Sequence, residues 1–234
     1  MHRRVFAALF LVLPVLKVGH AADIEGAVVI KHKLTKRKVT PNAGAYDRGV
    51  AVALDADVPQ DPLAFERTHV VVYLEGEHAA ASGPTAIIEQ KNRRFVPDLL
   101  VVPVGATVSF PNLDPIFHNV FSLSKPKNFD LGNYPQGQTR MVTFTKPGVV
   151  LVNCRLHTNM AASIVVAPNR WCTKVDPSGR FLLRNVPAGQ HTIVAWHKSA
   201  GFFRKTIVVE QTAGATVSFE IPLDENGMPT VATR

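Results

Sequence analysis

The chain has 234 residues, of which 46% are hydrophobic and 19% are charged. This composition is typical of a folded globular protein and excludes global disorder. The formal net charge is +8, from 26 Lys and Arg against 18 Asp and Glu. Basic repeats interleaved with aromatic residues are absent, so the positive charge does not indicate nucleic-acid binding. It predicts instead a preference for acidic proteins or surfaces.

The N-terminal segment has the pattern of an export signal. Arg3 and Arg4 precede an apolar stretch over 5–16, and small residues follow it. We therefore expect a signal peptide over residues 1–21 and a periplasmic or secreted protein. The paired arginines leave open whether export uses the Sec or the twin-arginine route. Beyond the signal no apolar run approaches the roughly 20 residues that a membrane span needs, so none is predicted.

Short apolar runs bounded by Gly, Pro, Asn and Asp recur along the rest of the chain, and they predict an all-β protein of antiparallel sandwiches. A long loop with one short strand at 50–54 is expected over 35–62, where Pro and Gly are frequent. The other predicted strands are, in chain order, 24–30, 68–74, 86–90, 99–102, 107–110, 140–144, 148–153, 163–167, 174–175, 180–183, 191–196, 205–210 and 216–221.

The strands predicted after residue 169 are too few for a closed sandwich, which usually needs roughly seven. The N-terminal strands are the natural donors of the missing ones, so the middle of the chain is predicted to be inserted in an outer sandwich. The predicted organisation is a signal at 1–21, N-terminal strands and loop at 22–84, an inserted domain at 85–168, the rest of the outer sandwich at 169–223, and a flexible tail at 224–234.

The chemistry is concentrated in one short stretch. Cys154, His157 and Met160 fall within seven positions and offer a thiolate, an imidazole and a thioether, the soft ligands that suit copper. His118, in the run FPNLDPIFHNVFS, offers a second imidazole. Two His, one Cys and a weak axial Met form the trigonal type 1 copper site, which serves Cu(I) and Cu(II) with little rearrangement. This set predicts single-electron transfer.

Other interpretations of these residues stay open. An exported chain with two cysteines would ordinarily pair them, and a bond between Cys154 and Cys172 would remove the thiolate ligand. That pairing leaves the His and Met spacing unexplained. Taken singly, His118 would be a core or turn histidine and Met160 a core filler. If Cys154 is a ligand, Cys172 is expected to be a buried free thiol beside Trp171.

Two stretches, RRFVPDLLVVPVGATVSFPNLDPIFHNVFS and KPGVVLVNCRLHTNMAASIVV, resemble the cupredoxins. The C-x-x-H-x-x-M loop resembles that of amicyanin but lacks proline, and plastocyanin is similar with a longer loop. The resemblance implies a Greek-key β-sandwich over about 85–168 that holds one copper ion. It also implies that Asn119 ties the two ligand loops together. The ligands it implies are His118, Cys154, His157 and Met160.

A second resemblance concerns the outer sandwich. The stretch VDPSGRFLLRNVPAGQHTIVAWH is similar to carboxypeptidase regulatory-like (transthyretin-like) domains, which usually do no chemistry. Together the two parts resemble exported methylamine-utilisation-like proteins. His191 and His197 fall on one strand face and could form a second metal site or part of a sugar-binding surface. The simpler interpretation is that both are ordinary, partly exposed histidines.

The predicted function is therefore that of a periplasmic blue copper protein without enzymatic activity. The further His clusters of copper oxidases and nitrite reductases are absent from the sequence. Electrons are expected to pass through His157, beside the apolar Leu156 and near Pro115 and Phe117, to a redox protein with an acidic docking surface. Two alternatives are a copper carrier or resistance protein, and a non-enzymatic module that binds carbohydrate or protein.

Overall fold

The computed structural model describes residues 21–34, 61–76 and 85–221. Within these ranges the chain forms strands and one short helix, which confirms the all-β prediction. Residues 1–20 of the signal predicted at 1–21, the short strand predicted at 50–54 and the predicted tail at 224–234 lie outside the described residues. The last residue of the predicted signal, Ala21, is the first residue of a strand. No helix in the described part of the chain has the length and apolar character needed to cross a bilayer.

The elements follow one another in this order: β1 (Ala21–Ile30), α1 (Ala64–Thr68), β2 (Val70–Leu74), β3 (Ala86–Ile87), β4 (Glu89–Lys91), β5 (Arg94–Val96), β6 (Leu99–Pro103), β7 (Thr107–Pro111), β8 (His118–Ser124), β9 (Lys127–Tyr134), β10 (Thr139–Thr143), β11 (Gly148–Asn153), β12 (Ala161–Ala167), β13 (Cys172–Lys174), β14 (Arg180–Pro187), β15 (Gly189–His197), β16 (Gly201–Val209) and β17 (Ala215–Ile221).

The first two strands are central members of sheets that the C-terminal part of the chain completes. Strand β1 lies between β14 and β17, antiparallel to the first and parallel to the second. Strand β2 lies between β13 and β15, with β16 beyond, and is antiparallel to both neighbours. The core shared by these strands includes Ile24, Val72, Trp171, Ile193 and Phe219, all less than a tenth exposed.

The middle of the chain forms a second layered unit. A five-stranded sheet, in the order β6-β12-β11-β8-β9, accompanies a three-stranded sheet, β10-β7-β3. Phe110, Phe144, Val150 and Ile164 are completely buried in the core of this unit. Strands β4 and β5 form a separate hairpin beside it.

Strand β2 explains how the two units meet. Its sequence VVVYL shows no alternation because both faces are buried, as expected of an internal strand covered on two sides. Val70, Val72 and Leu74 belong to the core of the outer sheets. Val71 and Tyr73 belong instead to a cluster that they share with residues of β6, β12 and β15. The two units therefore pack through a dry apolar layer.

The strands differ from the sequence predictions at several places. The strand predicted at 86–90 is divided between β3 and β4, which lie in different sheets, and β5 was not predicted. The strand predicted at 68–74 begins later, because Ala64–Thr68 is helical and Asp61 accepts the N–H of Leu63 just before it. Strand β8 was not predicted because it buries polar side chains, which hide the alternation of a half-buried strand. Strand β9 was not predicted either; it lies at the edge of its sheet and is mostly only partly buried.

Candidate metal centre

The loop that joins β11 to β12 carries three of the four predicted ligands. Asn153 pairs with Ala161 at its base. The N–H of Cys154 donates to the carbonyl of Met160 at 3.2 Å, and the N–H of Met160 donates to the carbonyl of His157 at 3.1 Å. These two bonds close the segment into a compact turn, with Cys154 5% and Met160 1% exposed. The hairpin thus holds the backbones of the three residues close together.

The fourth predicted ligand, His118, comes to this loop from the neighbouring strand. It opens β8, which pairs with β11. Its Nδ1 lies 3.1 Å from Nδ1 of His157, and Sγ of Cys154 lies 3.8 Å from the same His157 atom. The ligand atoms of the three residues all lie within 4.8 Å of one another. Two imidazole nitrogens and a sulfur therefore converge on one point, and this donor set fits a soft ion such as copper.

Asn119 connects the two segments that supply these groups. Its backbone N–H donates to Sγ of Cys154 at 3.4 Å. Its side-chain oxygen accepts the N–H of Arg155 at 3.4 Å, and its amide nitrogen donates to Asp130 at 2.8 Å. Arg155 and Asp130 also form an ion pair of 2.9 Å. Asn119 therefore fixes β8 against the loop at the level of the cysteine.

Asp114 is a site residue that the sequence did not reveal. Its Oδ2 lies 2.8 Å from Nε2 of His118, so that nitrogen is engaged and Nδ1 faces the other donors. The same carboxylate accepts the N–H groups of Asn92 at 2.6 Å and Arg93 at 2.8 Å. Burial opposes ionisation of Asp114, but the hydrogen bonds from Arg93, His118 and Asn92 outweigh it and lower the pKa. A fixed negative charge thus lies behind the buried histidine.

The four predicted ligands differ in their access to solvent. His118 is completely buried, and Cys154 and Met160 nearly so, whereas His157 is partly exposed. Burial and the neighbouring His118 lower the pKa of His157, so its ring is neutral at neutral pH and its lone pair is available to a metal. The side chains next in the chain to the two histidines, Phe117 and Leu156, are 57% and 47% exposed. The centre therefore reaches the surface at His157, within an apolar surrounding.

The two cysteines are both free, so the disulfide interpretation is not what the structure shows. Cys172 lies on β13 and packs against the apolar layer between the two units, but it is only partly buried, not buried as the sequence predicted. Burial raises its pKa to about 11, so its thiol is neutral and unreactive at neutral pH.

His191 and His197 do not form a second metal site. They lie near opposite ends of β15 and six residues apart, which is about 20 Å along a strand. Nε2 of His191 donates to the carbonyl of Pro187 at 2.8 Å. His197 is only 1% exposed, so the expectation that both histidines are partly exposed is wrong for His197. Its Nδ1 accepts the N–H of Ser199 at 3.2 Å, and its Nε2 lies 3.3 Å from the buried carboxylate of Glu66.

No protein-family model matches the chain, and no curated protein matches it. Among solved structures, a copper-containing nitrite reductase (NirK) from Thermus scotoductus SA-01 is 28% identical over 35% of this chain and 22% of its own, with a TM-score of 0.34. A purple cupredoxin from Nitrosopumilus maritimus is 24% identical over 35% of this chain and 99% of its own, with a TM-score of 0.32. The Cu(I) form of a mutant amicyanin is 20% identical over 41% of this chain and 97% of its own, with a TM-score of 0.34.

This chain thus spans about a fifth of the nitrite reductase and nearly all of the two smaller proteins. Each of these similarities involves less than half of the present chain. What the centre can do chemically follows from its own side chains.

Proposed function

We propose that the protein binds one copper ion in a type 1 site formed by His118, Cys154, His157 and Met160, and that it carries single electrons. The observation that supports this most directly is the convergence of two imidazole nitrogens and one sulfur within 4.8 Å. The group is largely buried and sits on one hydrogen-bonded hairpin loop and the start of the adjacent strand. Met160, buried at the end of the loop, would supply a weak thioether donor.

The residues around the ligands are suited to electron transfer because they restrict movement. Copper, when bound, supplies a one-electron couple. The Cys154–Met160 backbone bond and the contacts of Asn119 hold the thiolate, while Asp114 holds the ring of His118. Ligands that are fixed in advance keep the rearrangement between the two oxidation states small. The burial of three of the four ligands excludes substrate from the metal, which favours an electron carrier over an enzyme.

His157 is the proposed exit for the electron. It is the ligand that reaches the surface, and the exposed Phe117 and Leu156 lie beside the two histidines in the chain. The partner would be a redox protein with an acidic docking surface, because residues 85–168 hold eight Lys and Arg against four Asp and Glu. Three of those four acids are already engaged within the protein: Asp98 with His69, Asp114 with His118, and Asp130 with Arg155.

We also propose that residues 85–168 are a copper domain inserted in a carboxypeptidase regulatory-like outer sandwich, and that the protein is exported to the periplasm. The insertion is supported by the pairing of β1 and β2 with β13, β14, β15 and β17, which all follow the copper domain in the chain. The two separate apolar cores, one for each unit, support it as well. The outer sandwich would serve as a scaffold.

The copper site is tested by adding Cu(II) to the purified protein and recording the optical spectrum and the copper content. We expect one copper per chain and an intense visible band from the bond between thiolate and copper. Cys154→Ser should abolish the band, whereas Cys172→Ser, which removes the other free thiol, should leave it unchanged. A wild-type protein that stays colourless, or a band that survives in Cys154→Ser, would contradict the proposal.

A redox measurement distinguishes electron transfer from copper delivery. For an electron carrier, we expect repeated one-electron reduction and oxidation by voltammetry with the copper retained. A copper carrier would instead release Cu(I) to a chelator rapidly and would form no stable blue Cu(II) state. A binding module would retain its ligand after the Cys154→Ser change.

A further inference from the structure

A cleft of about 930 Å³ lies directly beside the proposed copper ligand His157. One wall is the segment 93–98, which includes β5, and the other is the segment 156–159 of the ligand loop. These two segments are some sixty residues apart in the sequence, and the fold brings them together. Polar groups of Thr158 and Asn159 line the cleft together with the apolar side chains of Val96 and Leu156. The cleft is far larger than a single inorganic ion requires.

The charge of the cleft is positive. Arg93 and Arg94 both line it and both are exposed. Among the residues that the structure describes, neither guanidinium has an acidic partner, in contrast to Arg155, Arg184 and Arg204. The acidic residue on the wall, Asp98, is bound by Nε2 of His69 at 3.1 Å. The two arginines are therefore available to a negatively charged ligand.

The position of Arg93 is fixed by the metal centre itself. Asn92 and Arg93 form the two-residue turn between β4 and β5, with φ angles of 54° and 53°. Their N–H groups donate to the carboxylate of Asp114, the same group that holds His118. Arg93 and His157 both line the cleft, so the two side chains share one electrostatic environment. The turn thus presents a preorganised cation next to the exposed ligand.

We propose that this cleft is a binding site for polycarboxylate anions. Two adjacent guanidinium groups match carboxylates through paired, charge-assisted hydrogen bonds. The cleft is large enough to accept a ligand with several carboxylates. Its amide, hydroxyl and apolar groups would contact the ligand between the charges. The carboxylates belong either to a small organic acid or to an acidic segment of a partner protein. The site does not depend on copper in the neighbouring centre.

The test uses the whole protein, metal-free and with its cysteines reduced. Citrate represents the small acids and hexaglutamate an acidic protein segment; each is titrated by calorimetry and by ¹⁵N NMR. We expect binding of at least one of them, with chemical-shift changes concentrated at residues 156–159. The tighter ligand identifies the source of the carboxylates. If neither binds, or if inorganic phosphate binds as tightly as both, the proposal is overturned.

Charge variants separate a built site from general attraction. Arg93→Gln/Arg94→Gln should weaken binding about tenfold or more, because it removes the charge-assisted hydrogen bonds between the two guanidinium groups and the carboxylates of the ligand. Lys125→Gln/Lys127→Gln removes the same amount of charge at the turn of the β8–β9 hairpin, at the end of β8 opposite His118. Salt screens the interaction of these distant charges with the ligand, so binding should weaken no more than about twofold. Equal losses in the two double variants would refute a specific site. If the double arginine variant does not fold, Arg94→Gln alone serves, because Arg94 lies outside the positive-φ turn that Asn92 and Arg93 form.

Because the measurement needs no metal, its failure leaves the copper proposal untouched. Conversely, if the protein binds citrate in the cleft but stays colourless with Cu(II), the result supports the anion site and contradicts the proposed copper function.

Discussion

Asp114 and His118 are joined by a 2.8 Å contact between a carboxylate oxygen and Nε2, in surroundings where the histidine is fully buried and the aspartate nearly so. The contact determines which ring nitrogen faces Cys154 and His157. It also holds the ring of this proposed ligand in one orientation. Asp114 is therefore a positioning residue for the proposed copper site.

Replacing Asp114 by Ala should weaken copper binding about 10- to 100-fold, the usual effect of losing the partner of a ligating histidine. It should also lower the unfolding free energy of the metal-free protein by about 1–3 kcal/mol, because the buried Nε2 of His118 and the N–H groups of Asn92 and Arg93 lose their acceptor. Competition with a chelator and urea unfolding measure the two effects. The matched control is Asp176→Ala, since Asp176 similarly accepts the N–H of Arg180 in a turn far from the site. That change should cost stability without altering copper affinity, and an equal copper loss in both variants would refute the role of Asp114.

Replacing Met160 by Leu should raise the reduction potential of the copper-loaded protein while leaving the metal bound. The thioether is a weak donor that favours Cu(II) slightly, and the trigonal ligands provide most of the affinity. Voltammetry and copper analysis report the two quantities. Met141→Leu is the control, because Met141 is 56% exposed on β10, in the other sheet of this unit, and its loss should leave the potential unchanged. Complete loss of copper from Met160→Leu would show that Met160 is a primary ligand, as in a Cu(I) carrier.

The buried His197 should make the protein less stable in acid. Burial lowers its pKa from the ordinary value of 6.5, and the N–H of Ser199 already occupies Nδ1, so protonation of the folded ring would break that bond. Below pH 6.5 the unfolded chain binds a proton that the folded chain does not. The free energy of unfolding therefore falls as the pH is lowered through this range, by at most about 1.4 kcal/mol per unit from this group.

Urea unfolding of the metal-free protein at pH 7.5 and pH 5 measures this effect. His197→Gln can still accept from Ser199, and it should lose less stability on acidification than the wild type. His191→Gln, on the same strand but partly exposed, should behave like the wild type. Identical acid sensitivity of the wild type and His197→Gln would show that His197 is not responsible.

A chain that starts at residue 85 should keep copper binding but aggregate. It lacks β1 and β2, which are internal strands of the two outer sheets, so apolar faces and strand edges become exposed. Size-exclusion chromatography with light scattering, combined with the optical spectrum, checks both expectations. A monodisperse product, or a well-behaved fragment 169–234, would contradict the proposed insertion.

A point variant tests the same architecture without truncation. Gly26 on β1 faces Phe181 of β14 and Val217 of β17. A Cβ at this position would lie 2.5 Å from the backbone oxygen of Val217, so Gly26→Ala should destabilise the outer unit by about 1–3 kcal/mol. The copper band should be unaffected in the folded protein. Loss of the band from folded Gly26→Ala under conditions where the wild type keeps it would refute the separation of the two units.

The sequence by itself determined the features that depend on neighbouring residues. Cys154, His157 and Met160 lie in one loop of seven positions, which allows little separation between them. Their types and spacing were therefore sufficient to predict a candidate metal site in this loop. The all-β fold followed from apolar alternation, because most strands bury one face. The shortage of strands after residue 169 pointed to the N-terminal partners that β14, β15 and β17 have in the structure.

The tertiary structure alone decided what depends on contacts between distant segments. Asp114 and His118 are four residues apart, but outside a helix such spacing does not bring side chains together, and their contact depends on the Asn92–Arg93 turn. The burial of His197 against Glu66 depends on how α1 packs on β15, some 130 residues later in the chain. The cleft beside His157 exists only because β5 folds against the ligand loop. The local sequence pattern shows which side chains lie on the same face of a strand. The distances between side chains, their burial and their electrostatic surroundings depend instead on packing between segments that are far apart in the sequence.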